Sequence, residues 1–178
     1  EFDNGLDKKF TFDCSEPCTS QVDIQKLKSF IEKDENPTII FYGGEPLLQI
    51  PKIKQIIDAL PNIPFRMQTN GQLLDKLESE YLNKITKILI SIDGNEETTD
   101  KYRGSGTYQK IIDNINLIRQ NGYQGELVAR MTVAQDNPDI YKNVTDILSI
   151  PSTLNPQPST NRIFNSVHWQ LDVGFYKE

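Results

Sequence analysis

The stretch Thr38–Pro46, which reads TIIFYGGEP, carries the strongest indication of the fold. Its first half is a run of β-branched and aromatic residues, which is typical of a buried strand. Two glycines, Gly43 and Gly44, follow that strand, and their lack of a Cβ atom lets a ligand approach the backbone. Glu45 adds a carboxylate that can bind a cation. The stretch predicts a strand that ends in a binding site, although a strand-ending turn with an exposed glutamate fits the same residues.

Composition indicates an ordinary globular domain and excludes several functions. The chain has 178 residues, of which 37% are hydrophobic and 25% charged, so we expect a single domain over residues 1–178. The net charge of −6, without a run of Lys or Arg, argues against nucleic acid or an anionic membrane as partner. No apolar stretch approaches the roughly 18 to 20 residues that span a bilayer. We expect a cytoplasmic protein.

Hydrophobic periodicity predicts alternating helices and strands. Short strand-like runs lie at 38–42, 64–69, 87–93, 126–133 and 167–173. Apolar stripes at helical spacing predict five helices. The first covers 21–33, with Ser20 and Asp23 as a capping pair, the second begins at Pro51, and the third covers 74–82. The fourth runs from a cap at Thr107 to Gly122, and the fifth begins at Asn137–Pro138. Such alternation implies parallel strands with right-handed crossovers, in an open doubly wound sheet or a whole or partial (β/α) barrel. In both, ligands bind at the carboxyl ends of the strands.

A polar stripe on four of the strands favours the open barrel. Alternate residues within each strand point to the same face of the sheet. The residues on the polar faces are Arg66, Gln68 and Asn70; Leu89, Ser91 and Asp93; Val128, Arg130 and Thr132; and His168, Gln170 and Asp172. A dry interior would not tolerate so many unpaired polar groups, each costing about 1 to 3 kcal/mol. These faces are therefore expected to line a wet cavity, although any one residue, such as His168, could instead be a satisfied edge group.

The glycine-rich stretch and three later motifs resemble the radical S-adenosylmethionine enzymes. The later motifs are Thr69-Asn70-Gly71, Ser91-Ile92-Asp93-Gly94, and Asp100-Lys101-Tyr102-Arg103 leading into Gly106-Thr107-Tyr108. The likeness covers about residues 20 to 135 and is strongest to the peptide-modifying and sulfatase-maturing branch (the SPASM type), including archaeal members. The resemblance implies an α/β fold, a partial TIM-like (β/α) barrel with parallel strands and outer helices.

The resemblance also implies a binding site for S-adenosylmethionine. Gly43, Gly44, Glu45 and Pro46 would hold its methionine amino group, and Ser91 and Asp93 would reach the ribose. An arginine is needed for the methionine carboxylate, and Arg130 on a strand fits the inward stripe better than Arg103 on a loop. Further wall residues would be Gln68, Asn70 and Gln170.

The chain departs from the family at the iron–sulfur cluster. The family binds a [4Fe–4S] cluster through Cys-x3-Cys-x2-Cys, but this sequence has only two cysteines, Cys14 and Cys18, and Gln21 stands at the third position. Since the chain opens at Glu1 without Met, we expect that it begins after the first strand and the cluster loop. Two alternatives are a degenerate homologue without a cluster and a cluster completed by an unusual third ligand. The two cysteines could also be simple loop thiols.

The predicted function follows from these features. We expect the core of a radical S-adenosylmethionine enzyme, which cleaves its cofactor to a 5′-deoxyadenosyl radical and abstracts hydrogen from a peptide or protein substrate. It would need an electron donor and would be inactive as given, without the cluster motif; no side chain can be assigned as catalytic. Alternatives are a non-catalytic module that binds S-adenosylmethionine or a peptide, and an unrelated (β/α) enzyme that binds phosphate or sugar. Residues 1–20 are expected to be irregular. Residues 151–166 are rich in Pro, Ser, Thr and Asn, and we expect them to form a flexible loop or a lid on the substrate side.

Overall fold

Parallel strands with helical crossovers build the molecule, and the computed structural model describes residues 22–152 and 162–172. The strands are β1 Ile39–Phe41, β2 Phe65–Thr69, β3 Ile85–Ser91, β4 Glu126–Val133 and β5 Ser166–Leu171. The helices are α1 Ile24–Ile31, α2 Ile50–Ala59, α3 Ser79–Leu82, α4 Glu96–Arg103, α5 Thr107–Gln120 and α6 Ile140–Leu148, with 3₁₀ turns at Pro46–Gln49 and Leu74–Lys76. Cys14, Cys18 and the rest of segment 1–20 lie outside the described residues.

The five strands form one sheet in sequence order, and every neighbouring pair is parallel. A pocket on the open face is lined by side chains from all five strands, among them Ile40, Arg66, Lys87, Val128 and His168. A flat sheet of this size is about 19 Å wide. The sheet must therefore curve around the pocket, and the predicted α/β fold, a partial TIM-like barrel, is confirmed.

The hydrophobic core lies between the sheet and the helices. On β2 to β4, every second residue faces the helices and is buried: Phe65, Met67, Ile88, Ile90, Leu127, Ala129 and Met131 are at most 1% exposed. Ile57, Ile111 and Ile147 meet them from α2, α5 and α6. Each such large side chain stabilises the fold by about 1.5 to 3 kcal/mol. The opposite face keeps its polar residues, so the predicted alternation is confirmed on these strands. No described helix combines the length and apolar character that crossing a membrane requires.

Two predicted helices have different bounds. Helix α1 begins at Ile24, because the side chain of Asp23 accepts hydrogen bonds from the backbone N–H groups of Gln25 and Lys26. The predicted cap Ser20 lies outside the described residues. The single helix predicted over 74–82 is wrong, since Leu77 and Glu78 adopt extended backbone angles between a 3₁₀ turn and α3. The apolar stripe still packs inward, because the two short turns present Leu74 and Leu82 to the core.

The sequence did not predict helix α4. Only Thr99 of its eight residues is buried, so no apolar stripe marks it. Arg103, expected on a loop, is its last residue. The predicted Thr107 cap of α5 is also wrong, because Gly106 is the N-cap and Asp100 accepts from the backbone N–H groups of Gly106 and Tyr108.

The segment predicted as a flexible loop over 151–166 is anchored at both described ends. Pro151 and Arg162 form an antiparallel bridge. Ile163 and Phe164 are 4% and 1% exposed, and the side chain of Asn165 accepts a hydrogen bond from Leu127 N. The prediction therefore needs correction for residues 162–165, while 153–161 lie outside the described part of the chain. Strand β5 begins at Ser166, one residue before the predicted start.

Candidate functional site

The glycine pair after β1 leaves an open backbone surface. Gly43 and Gly44 have φ angles of +101° and +49°, in the region that favours glycine. A Cβ atom built on either residue would meet no described atom within 4 Å. The space beside this backbone is therefore open to a ligand.

The carboxylate of Glu45 joins this loop to the end of β2. Its Oε1 atom accepts hydrogen bonds from Leu47 N at 3.0 Å and from Thr69 Oγ1 at 2.8 Å, while Oε2 accepts from Asn70 N at 2.8 Å. These contacts fix the loop against the next strand. No lysine or arginine of the described residues forms an ion pair with this carboxylate, so its negative charge is available to a cationic ligand.

The turn after β2 holds Asn70 beside Glu45, the residue that follows the glycine pair. Asn70 Oδ1 accepts from Gln72 N at 2.9 Å and so shapes the turn. Gly71 has φ +79°, and a Cβ atom there would lie 2.8 Å from a methyl group of Ile90. The buried Asn114 on α5 donates to Gly71 O at 2.9 Å. Sequence analysis missed Asn114, which looks like one more polar residue on an amphipathic helix.

Ser91 and Arg130 are neighbours across β3 and β4, and His168 of β5 continues the row. The guanidinium of Arg130 donates to Gln170 Oε1 at 2.5 Å. This acceptor is neutral, and within the described ranges no carboxylate forms an ion pair with Arg130. Arg130 therefore presents a partly exposed positive charge beside the hydroxyl of Ser91.

Asp93 and Arg103 are paired with each other. Arg103 Nη2 donates to Asp93 Oδ1 at 2.9 Å, and Nε makes an ion-pair contact with Oδ2 at 2.6 Å. Asp93 Oδ1 also accepts from Thr132 N at 2.9 Å, and the residue is only 3% exposed. The carboxylate of Asp93 thus binds protein groups on α4 and β4. Of the two candidate arginines, Arg130 is the one without a carboxylate partner.

The residues around Arg103 fix α4 to its surroundings. Lys101 Nζ lies 2.6 Å from Asp136 Oδ2, and Tyr102 Oη lies 2.5 Å from Asp136 Oδ1. The hydrogen bond from Lys101, followed by that from Tyr102, holds the pKa of the Asp136 carboxyl below its usual range. Burial, followed by the hydrogen bond to Asp136, raises the pKa of Tyr102. Asp136 was not recognised from the sequence, because a surface carboxylate before Asn-Pro shows no sign of its partners.

The parallel topology brings most of the predicted residues to one edge of the sheet. Gly43 and Gly44 follow β1, Asn70 follows β2, Ser91 ends β3, Arg130 lies on β4 and Gln170 on β5. Neighbouring strands are about 4.8 Å apart, so the step from β1 to β4 is about 14 Å. Gln68 lies two residues before Asn70, in the pocket on the open face. Among the described residues, the edge therefore offers open backbone, a hydroxyl, and a carboxylate and a guanidinium that each lack an ion-pair partner.

The described residues do not offer a ligand set for an iron–sulfur cluster. Within 22–152 and 162–172, no three side chains of His, Cys, Asp or Glu lie close enough to hold a metal ion. Cys14 and Cys18 fall outside these ranges. The described residues can therefore be examined as a binding site for S-adenosylmethionine, but they do not include the ligands of the cluster.

Comparison with protein families identifies the class. The model of the radical SAM superfamily matches residues 21–146, which is more than half of the chain. The chain therefore belongs to the radical SAM superfamily, whose cofactors are S-adenosylmethionine and a [4Fe–4S] cluster.

Curated relatives have several activities. The chain is 29% identical to a cysteine-type anaerobic sulfatase-maturating enzyme of Clostridium novyi over 106 residues, which are 52% of this chain and 28% of that protein. It is 26% identical to an AdoMet-dependent heme synthase of Oleidesulfovibrio alaskensis, covering 73% of this chain and 35% of the relative. It is 25% identical to the radical SAM cyclopropyl synthase TigE of Paramaledivibacter caminithermalis, covering 87% and 33%. The chain thus spans about a third of the length of these relatives.

Solved structures share the fold. The chain matches a structure described as native anSMEcpe with bound AdoMet and Cp18Cys peptide, with a TM-score of 0.56, 18% identity, and coverage of 70% of this chain and 38% of the other. A histidine-tagged form of anSMEcpe with bound AdoMet matches with the same TM-score and identity. At this identity the likeness supports the fold alone.

Proposed function

We propose that this chain is the S-adenosylmethionine-binding core of an enzyme that modifies a peptide or protein. The observation that carries the proposal is the open backbone at Gly43 and Gly44, on the same sheet edge as Ser91 and the unpaired Arg130. When bound, S-adenosylmethionine would accept one electron, release methionine and supply a 5′-deoxyadenosyl radical that takes hydrogen from the substrate. The electron would come from an external donor through the family's cluster.

Each residue of the site has a distinct proposed role. The backbone at Gly43 and Gly44 would accept hydrogen bonds from the methionine ammonium, and Glu45 would offset its charge. The planar fork of Arg130 would bind the methionine carboxylate. Ser91 would donate to the ribose, with Asn70, Gln68 and Gln170 as further wall residues. Asp93 and Arg103, which the sequence motifs assigned to the ligand, would act through each other by fixing the loop after β3 against β4.

The proposal of a peptide substrate rests on the relatives. One relative is named a sulfatase-maturating enzyme and another a 4-hydroxyphenylacetate decarboxylase activating enzyme. Each name describes an enzyme whose substrate is another protein. Two solved structures with the same fold are described as containing a bound peptide. We further assign the chain to the peptide-modifying, sulfatase-maturing (SPASM-type) branch, with its cluster ligands outside the described residues.

A pair of glycine variants tests the site. Gly44→Ala places a methyl group in the open space, whereas Gly122→Ala, with φ +92° and equally open space, lies at the end of α5 away from the site. Calorimetric titration with S-adenosylmethionine should show at least about a tenfold loss of affinity for Gly44→Ala, equivalent to about 1.4 kcal/mol. Gly122→Ala should bind like the wild type. Equal affinities for the two variants would refute the site.

A second assay can exclude a non-catalytic binding module. The chain is reconstituted anaerobically with iron and sulfide, reduced with dithionite and supplied with S-adenosylmethionine, and 5′-deoxyadenosine is measured. Release of 5′-deoxyadenosine supports the enzyme. Binding of S-adenosylmethionine without cluster absorbance or cleavage is the result expected of the chain as given, and the alternative of a module that binds the cofactor only predicts the same result.

A further inference from the structure

A pocket of about 380 Å³ lies on the open face of the sheet, toward the amino ends of the strands from the proposed cofactor site. Gln68, Leu89, Val128 and Ser166 are register partners across β2 to β5 and form one continuous row of its wall. Leu89 and Val128 precede Ser91 and Arg130 by two residues, a distance of about 7 Å along a strand. The pocket therefore adjoins the cofactor site on the same face.

The pocket is positively charged although the protein is acidic. Its wall includes the charged side chains of Arg66 and Lys87 and no carboxylate among the described residues, whereas the whole chain has a net charge of −6. Lys87 is neutralised, because its Nζ lies 2.7 Å from Glu126 Oε2. Arg66 is exposed and has no hydrogen bond or ion pair with any described residue. Arg66 thus presents an unpaired guanidinium in the pocket.

The rest of the lining defines what this guanidinium can bind. A planar guanidinium pairs best with a carboxylate, through two parallel hydrogen bonds. Gln68 and Ser166 add neutral hydrogen-bond donors to the same pocket. Leu89, Val128 and Ile40, which is 55% exposed, supply apolar surface that can cover methylene groups. The combination suits a carboxylate on a short aliphatic chain, and it disfavours a cationic side chain by like-charge repulsion.

We propose that this pocket binds the carboxylate side chain of a glutamate or aspartate in the substrate, close in sequence to the residue that is modified. The inference rests on the proposed function, because it takes a peptide as the substrate. The acidic side chain would extend toward the amino ends of the strands, while the reacting residue lies toward Ser91 and Arg130. Arg66 would then select acidic peptide segments and reject basic ones.

Nuclear magnetic resonance titration of the full chain tests the proposal with two matched probes. N-acetyl-glutamate N-methylamide carries the carboxylate, and N-acetyl-glutamine N-methylamide is its neutral isostere. We expect saturable shifts of the backbone amides at 66, 68, 128 and 166 with the glutamate probe, and binding at least about fivefold weaker with the glutamine probe. Arg66→Gln should weaken binding of the glutamate probe by a similar factor. Lys52→Gln, which removes a lysine on α2 outside the pocket, should leave binding of the glutamate probe unchanged.

Three results would overturn the inference: no saturable shift at these amides, equal binding of both probes, or equal binding by the wild type and Arg66→Gln. Titration of the same samples with S-adenosylmethionine separates this failure from failure of the proposed function. Cofactor binding without binding of the glutamate probe refutes the acidic pocket only. Probe binding without cofactor binding refutes the proposed function and leaves a carboxylate pocket of another purpose.

Discussion

At the scale of single residues, the site depends on which charges the protein has already neutralised. Arg103 and Arg130 were both candidates in the sequence, with Arg130 preferred; in the structure Arg103 pairs with Asp93, whereas among the described residues Arg130 meets only the neutral Gln170. The position of Arg130 could be predicted, because the polar stripe places it on an inward-facing strand, whereas Arg103 was expected on a loop and lies on α4. Their pairing could not, because it depends on α4, a helix with a single buried residue and no apolar stripe.

The structural role of Glu45 can be tested by removing its charge. Glu45→Gln leaves one acceptor oxygen for three donors, so we expect a loss of about 1 to 3 kcal/mol in the free energy of unfolding. Urea denaturation measures it. Glu35→Gln, which changes an exposed carboxylate, is the control and should cost almost nothing. Equal unfolding midpoints for the two variants would contradict the bridge between the glycine loop and β2.

The buried pair of Asp93 and Arg103 should matter more than an exposed pair. Asp93→Asn removes the counter-charge of a partly buried guanidinium, and we expect a cost of about 2 kcal/mol or more. The comparison is Asp146→Asn, which breaks the Lys142–Asp146 pair within α6 and should cost about 0.3 to 0.5 kcal/mol. Chemical denaturation of both variants gives the difference. A cost for Asp93→Asn no greater than for Asp146→Asn would show that the pair is not structural.

At the scale of elements, the strands could be predicted more closely than the helices. Alternation of apolar and polar residues marks β2 and β4 within one residue of their bounds, because one face of each is buried. The stripe over 74–82 also predicted burial correctly, but two short turns satisfy it as well as one helix does. Periodicity reports which residues face the core, and backbone breaks such as Leu77–Glu78 leave that pattern intact.

The end of α5 is tied to β3 by Tyr123. The residue is 1% exposed, and its hydroxyl donates to Ile85 O at 3.0 Å. Arg119 donates to Tyr123 O at 2.8 Å and to Gly125 O at 2.9 Å, which closes the connection to β4. Burial raises the pKa of Tyr123 above its ordinary value of 10.0. The folded state therefore holds the neutral phenol more firmly than the unfolded state does.

This pKa shift predicts alkaline destabilisation. Since the unfolded tyrosine ionises first, the contribution of Tyr123 is complete below its ordinary pKa of 10.0 and is lost as the pH rises above that value. Tyr123→Phe should cost about 1 to 3 kcal/mol at neutral pH by leaving Ile85 O without its donor, and should flatten the decline above pH 10. Urea midpoints measured from neutral to strongly alkaline pH test both effects. Tyr141→Phe, at an 84% exposed position, is the control and should alter neither.

At the scale of the whole molecule, the parallel direction of the strands creates the proposed cofactor edge, and curvature of the sheet creates the pocket beside it. The parallel direction of the strands could be predicted from the alternation of elements, and so could the edge where the ligand would bind. The pocket beside it could not, because it depends on how closely Ile40 of β1 approaches His168 of β5. The unpaired state of Arg66 was equally invisible, since a sequence does not show which charges lack a partner.

Mapping of the cofactor site by nuclear magnetic resonance is the most direct test of the central claim, that one edge of this sheet binds S-adenosylmethionine. Titration of the isotope-labelled chain should shift the backbone amides of residues 43–46, 70–71, 91–94 and 130 together, with one dissociation constant. Shifts confined to the outer helices α2 and α5, or the absence of saturable shifts at the glycine loop, would contradict it.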